Sequence, residues 1–216
     1  MTIASTEEPP SIPGVPESVD FANPSALAAF GELTRRITVD VNIPEERWLE
    51  RLPWLETLAV EAARDACLAG GASVIPAEAM AEMSLTFADD NYMQELNARY
   101  RGIESPTNVL SFPAASVADF PVNPADFSVS PAEGPRPELL LGDLVLGFET
   151  VVKEAENQGK RLGDHVAHLV IHGVLHLLGF DHVQDDQAAR MERLETSIME
   201  NLGIDDPYCP SDGKTR

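Results

Sequence analysis

The sequence predicts a single α+β domain with a four-stranded mixed sheet and about five helices. Its 216 residues, 44% of them hydrophobic, are enough to form one core of ordinary size. Four short stretches have the apolar pattern of strands, and the stretches between and after them have the spacing of amphipathic helices. Some of the strands follow each other in sequence without a helix between them, which favours a mixed arrangement over a strictly alternating one.

The predicted fold opens with a strand and a helix. Residues 36–43, RITVDVNI, alternate apolar and polar side chains as a half-buried strand does. Residues 44–71 then have helical spacing, and Gly70 and Gly71 are suited to end that helix. The stretch MSLTFAD, residues 83–89, predicts the second strand.

A short helix and a third strand come next. Residues 91–100, NYMQELNARY, have helical spacing, with Asp89 or Asp90 available as the N-cap. Gly102 follows the last turn and predicts the end of this helix. Residues 107–113, TNVLSFP, then predict the third strand.

The second half of the domain begins after a proline-rich segment. Residues 114–138 have little pattern and predict a long loop within the domain. The stretch LLLGDLVLG, residues 139–147, predicts the fourth strand. From there the spacing is helical, with helices predicted over 149–159, 164–179 and 185–203, the last one closed by Gly203.

The flanks of the domain differ from it in composition. Residues 1–34 are rich in Pro, Ser, Ala and Glu without periodicity and predict a disordered acidic extension before a domain that spans 35–204. Residues 205–216 predict a flexible tail. Cys67 and Cys209 lack the spacing of a metal-binding or redox pair, so we expect free thiols in a reducing compartment.

The charge of the chain limits its function. With 15 Lys and Arg against 36 Asp and Glu, the formal charge is −21 and the pI is near 4.4. This balance argues against a nucleic-acid binder that works through a broad basic surface, and it is typical of a solvated surface. The first 18 residues lack the features of a signal peptide, and no apolar run approaches the roughly 18 residues of a membrane span. We therefore expect a cytoplasmic protein that does not associate with membranes.

One apolar helical stretch carries most of the histidines. Residues 168–182, HLVIHGVLHLLGFDH, hold four of the five histidines in the chain. His172 and His176 are four residues apart and project from one helix face, while Gly179 lets the chain turn so that His182 folds back toward them. This spacing is that of a metzincin-type zinc site, in which two ligands lie on the helix and one on the turn. Three histidines leave a fourth tetrahedral position to water, as in a catalytic zinc site.

The neighbouring polar residues are candidates for supporting roles. His165 and His168 continue the stripe of histidines, and either is a possible spare ligand. The negative end of the helix dipole lies toward Gly179, which favours a cation beside His176 and His182. We predict that His168 supports the ligands from behind or lines the cleft, and that His165 lies on the surface. Asp181 is suited equally to orienting an imidazole and to capping the turn.

The residue after the first histidine disfavours one class of reaction. Zinc proteases with an H-E-x-x-H motif use the glutamate after the first histidine as general base, whereas this chain has Gly173 there. Peptide hydrolysis is therefore disfavoured. A zinc-bound water, with its pKa lowered to about 7, still serves as a nucleophile without that carboxylate, so a phosphodiester remains a suitable target.

Four separate motifs resemble those of the YbeY family of endoribonucleases and rRNA maturation factors. They are ELNARYRG at 95–102, PTNVLSFP at 106–113, LGDLVLG at 141–147 and HGVLHLLGFDH at 172–182. The resemblance covers roughly residues 36–203. The acidic extension, the proline-rich loop and the C-terminal tail exceed the usual core of that family.

The resemblance implies a function and a set of site residues. It implies a zinc-dependent, single-strand-specific endoribonuclease that acts in the bacterial cytoplasm on 16S rRNA processing and ribosome quality control. His172, His176 and His182 would hold one Zn²⁺ per chain, and Arg101 would be the catalytic arginine. A guanidinium pairs with two oxygens of a phosphate as charge develops there, whereas we interpret Arg99 as a solvated charge.

The acidic charge also bears on the partners. Neutralisation of phosphates supplies most non-specific binding to nucleic acid, so we expect recognition of rRNA precursor to depend on ribosomal proteins or a ribosome-associated GTPase. The alternative function is a non-catalytic ribosome assembly factor with a structural metal. The sequence leaves open whether the attacking group is the metal-bound water or the 2′-hydroxyl of the RNA, and which metal the protein holds in the cell.

Overall fold

The computed structural model describes residues 36–71, 75, 79–114, 138–182 and 184–208. The predicted N-terminal extension, nearly all of the predicted proline-rich loop, Cys209 and the end of the predicted tail lie outside these residues. Within them, none of the helices is long and apolar enough to cross a membrane. Cys67 is a free, buried thiol, and burial raises its pKa to about 12.

The described residues form four strands and six helices. The strands are β1 (Ile37–Asn42), β2 (Met80–Ala88), β3 (Val109–Pro113) and β4 (Glu138–Gly147). The helices are α1 (Arg47–Arg51), α2 (Leu55–Gly70), α3 (Asp90–Arg101), α4 (Phe148–Gln158), α5 (Leu162–Leu177) and α6 (Asp185–Asn201).

The four strands form one mixed sheet in the order β1-β2-β4-β3. β1 pairs with β2 and β2 pairs with β4 in parallel, whereas β3 pairs antiparallel with β4. Pairing with β4 brings Met80 opposite Glu138, so β2 begins three residues before the position that apolar alternation predicts. The predicted α+β class and the four-stranded mixed sheet are confirmed.

The sixth helix arises because the helix predicted over 44–71 is two helices. α1 ends at Arg51 and α2 begins at Leu55, with Pro53 between them. Proline disfavours a helical conformation in the residue before it, and Leu52 has φ −135° and ψ 80°. The periodicity continues through the break, because both helices face the same core and bury Trp48 and Leu55 there.

The residues predicted to begin and end the short helix do so in α3. The Asp89 side chain accepts a hydrogen bond from the Tyr92 backbone N–H at 2.8 Å, so Asp89, of the two candidate aspartates, is the N-cap. Gly102 adopts φ 71° after the last turn, a left-handed conformation that glycine takes without steric cost. Asp90 instead accepts hydrogen bonds from Thr150 and so ties α3 to α4.

The sheet has helices on both faces, unequally distributed. Leu144 and Leu146 of β4 face the main core, to which all helices except α3 contribute buried side chains. Val145, between them, faces the other side and packs in a small cluster with Met93 of α3. Alternate residues of a strand point to opposite faces, so Met93 of α3 packs on the face of β4 opposite the main core.

α5 is the most deeply buried helix and approaches the sheet very closely at Gly173. A Cβ atom at this position would lie 2.1 Å from Cδ2 of Leu144 on β4, a distance at which the two atoms cannot coexist. The absence of a side chain at 173 therefore lets the helix backbone rest on the strand. The contact fixes which face of α5 is turned away from the sheet.

Gly173→Ala should destabilise the metal-free protein by about 1–3 kcal/mol, because the added methyl overpacks the contact with Leu144. The matched control is Gly163→Ala in the same helix, where a Cβ would lie an ordinary 3.7 Å from Leu52. That change should be neutral or stabilising by up to about 1 kcal/mol through helix propensity. Urea unfolding in the presence of a chelator measures both, and equal stability of the two variants would contradict the close contact.

Candidate metal centre

Three histidines converge where α5 ends. His172 and His176 lie one turn apart on one face of the helix. After the last turn, the Phe180 backbone N–H donates to the Leu175 carbonyl at 3.0 Å and Gly179 adopts φ 86°, which reverses the chain. His182 thereby returns to the helix, and one ligand atom from each histidine lies within 4.8 Å of the others. This group of histidines could hold a metal ion.

Hydrogen bonds fix the protonation of two of these rings. The Nδ1–H of His172 donates to Oε1 of Glu195 at 2.8 Å, and the Nδ1–H of His176 donates to the Phe180 carbonyl at 3.0 Å. Because a carbonyl and an ionised carboxylate only accept, each ring donates through Nδ1, and in its neutral form it keeps a lone pair on Nε2.

The two free lone pairs meet in one place. Nε2 of His172 lies 3.1 Å from Nε2 of His176, close to the roughly 3.3 Å expected for two nitrogens on one tetrahedral zinc with Zn–N bonds near 2.05 Å. Two acceptors that face each other at this distance need an electrophile between them. The residues present therefore fit a divalent ion with imidazole ligands.

The protonation state of the centre also suits a metal. Burial lowers the pKa of His176 below its ordinary value, and the neighbouring His172 and His182 lower this pKa further. The ring is thus neutral near pH 7, and a ligand must be deprotonated at the coordinating nitrogen. His172 is about a quarter exposed and His182 is exposed, so the centre is open to solvent on one side.

Glu195 of α6 is a functional residue that the sequence analysis missed. Its carboxylate is fully buried and accepts from three groups: His172 Nδ1, His168 Nε2 at 3.1 Å and the Tyr208 hydroxyl. Burial raises the pKa of Glu195, but these hydrogen bonds outweigh the burial and hold the pKa at about 2. An ionised carboxylate behind a ligating histidine fixes the orientation of the ring and makes it a stronger ligand.

A signal for Glu195 is present in the sequence. Met191, Ile198 and Met199 form the buried face of α6, and Glu195 occupies the same face, four residues after the first and three before the second. A charged residue at a core position of an amphipathic helix requires a buried partner. The partner itself is not visible in the pattern, since it lies on another helix.

The C-terminal segment also reaches the centre. Residues 205–208, the start of the predicted flexible tail, lie against α6 and α5 in the structure. The Tyr208 hydroxyl donates to Oε2 of Glu195, and the Tyr208 ring packs edge-on against His168, with centroids 5.5 Å apart. The Lys160 ammonium donates to the Pro207 carbonyl at 2.7 Å and fastens the segment from the α4–α5 turn.

The structure assigns different environments to the other predicted residues. His168 contacts no ligand nitrogen directly, but it shares Glu195 with His172. The Asp181 carboxylate accepts from the His182 backbone N–H at 2.7 Å, which is the turn-capping arrangement. The prediction that His165 lies on the surface is wrong: it is 4% exposed, and its Nε2 lies 3.0 Å from Glu154, because the helix face that carries it packs toward α4.

Arg101 is the last residue of α3 and is exposed. Within the described part of the chain it makes no hydrogen bond or ion pair, and it does not contact the three histidines. Arg99 is exposed as well, and its guanidinium lies 5.6 Å from the ring centroid of Tyr100. Arg101 therefore carries a guanidinium without a carboxylate partner in the described residues.

The structure also explains the glycine after the first histidine. Gly173 faces Leu144 on the sheet, whereas His172 faces Glu195 on α6. A glutamate at position 173 would have to occupy the space that Leu144 fills. The missing general base of the zinc proteases is thus excluded by the packing of α5 on the sheet.

Fold and site together define a class of protein: an α+β domain in which three histidines that could hold a metal ion lie on a buried helix and the turn that follows it. A family model described as "Endoribonuclease YbeY" matches residues 55–203. The chain belongs to this family.

Individual relatives agree with this assignment. A protein of Paramagnetospirillum magneticum named "Endoribonuclease YbeY" is 46% identical over 176 residues, which cover 82% of this chain and 98% of the relative. A Sinorhizobium medicae protein of the same name is 45% identical over 159 residues, which cover 74% of this chain and 86% of the relative. A solution structure of a Thermotoga maritima protein is 18% identical over 82% of this chain with a TM-score of 0.43; the assignment rests on the sequence relatives.

His176→Ala should abolish stoichiometric zinc binding, because two remaining histidines hold the ion weakly. Metal analysis after dialysis against a low concentration of zinc measures the effect. The control is His165→Gln, which changes a histidine of the same helix that bonds Glu154 and belongs to no ligand group. If His176→Ala retained one zinc per chain, the centre would have to lie at His165 and His168 instead.

Proposed function

We propose that this protein is a metal-dependent endoribonuclease whose reaction takes place at the three-histidine centre. The observation that carries the proposal is the convergence of two Nε2 lone pairs, with each Nδ1 already bonded, beside an exposed third histidine. Membership of a family whose relatives are named endoribonucleases supplies the substrate class. The open side of the centre favours catalysis over a purely structural metal, because structural sites are closed by four protein ligands.

The metal that suits this centre best is zinc, one ion per chain. Neutral imidazoles bind zinc well, and three protein ligands with one open position are the usual set of a catalytic zinc. When bound, the ion supplies Lewis-acid chemistry: it offsets negative charge on the phosphate and makes a nearby water easier to deprotonate. The histidines and Glu195 contribute by holding the ligand set in a fixed geometry before substrate arrives.

Arg101 is proposed as the catalytic residue that contacts the phosphate. Its guanidinium has no carboxylate partner in the described residues, so it is available to an incoming anion. A phosphodiester gains charge on its non-bridging oxygens as the nucleophile attacks, and a planar guanidinium pairs with two oxygens at once. This interaction strengthens as charge develops and therefore lowers the barrier.

The substrate and setting follow from the charge and the family. We propose a single-stranded rRNA precursor as substrate, with roles in 16S rRNA maturation and ribosome quality control in the cytoplasm. The formal charge of −21 opposes tight binding of free RNA. Ribosomal subunit proteins or a ribosome-associated GTPase would then bring the enzyme to its substrate.

Zinc-loaded protein should cleave a single-stranded RNA oligonucleotide and lose this activity with chelator, with recovery when zinc is restored. A duplex of the same sequence is the control for strand specificity. End-group analysis identifies the attacking group, since a 2′,3′-cyclic phosphate shows attack by the RNA 2′-hydroxyl. If zinc-loaded protein cuts neither the oligonucleotide nor ribosomal precursor, a non-catalytic assembly factor with a structural metal replaces the enzyme.

Arg101→Ala should lower the rate of RNA cleavage by roughly a hundredfold or more, because one charged contact to the transition state is lost. Zinc content and folding should be unchanged, and Arg101→Lys should recover only part of the rate. Arg99→Ala, two residues away on the same exposed helix end, is the matched control and should be nearly silent. Parental rates for Arg101→Ala, alongside an inactive His176→Ala, would remove Arg101 from the reaction.

A further inference from the structure

The C-terminal segment 205–208 is held on the domain by hydrogen bonds to Lys160, Thr196 and Glu195 and by a ring contact with His168. The Pro207 carbonyl accepts from Lys160, and the Asp206 carboxylate accepts from the Tyr208 backbone N–H at 2.9 Å and from the Thr196 hydroxyl at 3.3 Å. The Tyr208 hydroxyl donates to Glu195. Through the last of these contacts the Tyr208 hydroxyl reaches the buried Glu195, although Tyr208 itself remains 47% exposed.

The two oxygens of the Glu195 carboxylate are used unequally. Oε1 accepts from His172, whereas Oε2 accepts from both His168 and Tyr208. Two donors on one oxygen fix the rotation of the carboxylate, so that the other oxygen is presented to the Nδ1–H of His172. Without the Tyr208 hydroxyl, the carboxylate keeps only one donor on Oε2 and gains rotational freedom.

We propose that Tyr208 is a positioning residue of the metal centre, which acts through the fully buried Glu195 to hold His172 in the orientation that binds the ion. The segment 205–208 is then part of the centre although it contributes no ligand. The inference rests on the proposed metal centre and is independent of which substrate the protein cleaves.

The alternative is that Tyr208 only covers Glu195 and adds to the stability of the fold. The two roles differ in what they change. A covering role changes the stability of the metal-free protein, whereas a positioning role changes the affinity for the ion and requires the Glu195 carboxylate. A group that orients a ligand typically affects metal affinity by about 10- to 100-fold.

The test is competition for zinc between the protein and a chelating dye, with no RNA present. Tyr208→Phe removes only the hydroxyl and should weaken zinc binding by about tenfold, the lower end of the range for such groups. Glu195→Gln should weaken it at least as much. The double variant should bind zinc like Glu195→Gln alone, because the hydroxyl acts through that carboxylate. Tyr92→Phe, at an exposed tyrosine of α3, should bind zinc like the parent.

A second variant covers the case in which Tyr208→Phe does not fold. Lys160→Met keeps the apolar stem and releases the segment at Pro207 without touching Glu195, so it should give a smaller loss of zinc affinity. Parental zinc affinity in folded Tyr208→Phe, or in Lys160→Met where the first variant is unfolded, would overturn the proposal. Additive losses in the double variant would overturn it too.

These outcomes separate the inference from the proposed function. A parent that binds zinc but cleaves no RNA leaves the role of Tyr208 intact. A parent that binds no zinc overturns the metal centre and this inference together. A loss of stability in metal-free Tyr208→Phe, with parental zinc affinity, assigns the residue to the covering role.

Discussion

The carboxylate of Glu195 is the point on which the metal centre depends, because it is an ionised group with no exposed surface. A buried charge is costly unless it is fully hydrogen-bonded. Here the donors are two imidazoles of α5 and the hydroxyl of Tyr208, so the cost of burial is offset only when α6 and the C-terminal segment are docked on α5. Docking of α6 and the C-terminal segment on α5 is thus coupled to the orientation of the His172 ring.

The packing of α5 on the sheet fixes the orientation of this helix and therefore the direction from which His172 approaches the Glu195 carboxylate. Gly173 brings the helix backbone against Leu144, while His172, the residue before it, faces Glu195 on α6. The same constraint removes the space for the glutamate that zinc proteases use. One close contact between a helix and a strand therefore contributes both to the formation of the centre and to the exclusion of one type of chemistry.

The charges of the chain fall into two groups with different consequences. Several arginines form ion pairs, as Arg47 does with Glu45 and with Glu149, and such exposed pairs contribute little to stability. Arg101 has no such partner among the described residues, so its charge is available to an anion.

The sequence alone determined the features that involve residues close together in the chain. The strands, the end of α3 at Gly102 and the grouping of His172, His176 and His182 are readable because each involves residues within about ten positions, where helix and turn geometry fix the distances. Pro53 is a signal for the break between α1 and α2, but the helical periodicity continues on both sides of it and predicts one helix instead of two.

Only the tertiary structure decided which residues from other elements contact the histidines of α5. Glu195 is 23 residues from His172, and Tyr208 is 13 residues beyond Glu195. His165 is buried by its contact with Glu154 on α4, not by any feature of its own helix. The spacing of side chains on one helix says which of them share a face, but the partner that meets this face depends on how separate helices dock, and docking is set by the shape of the whole core.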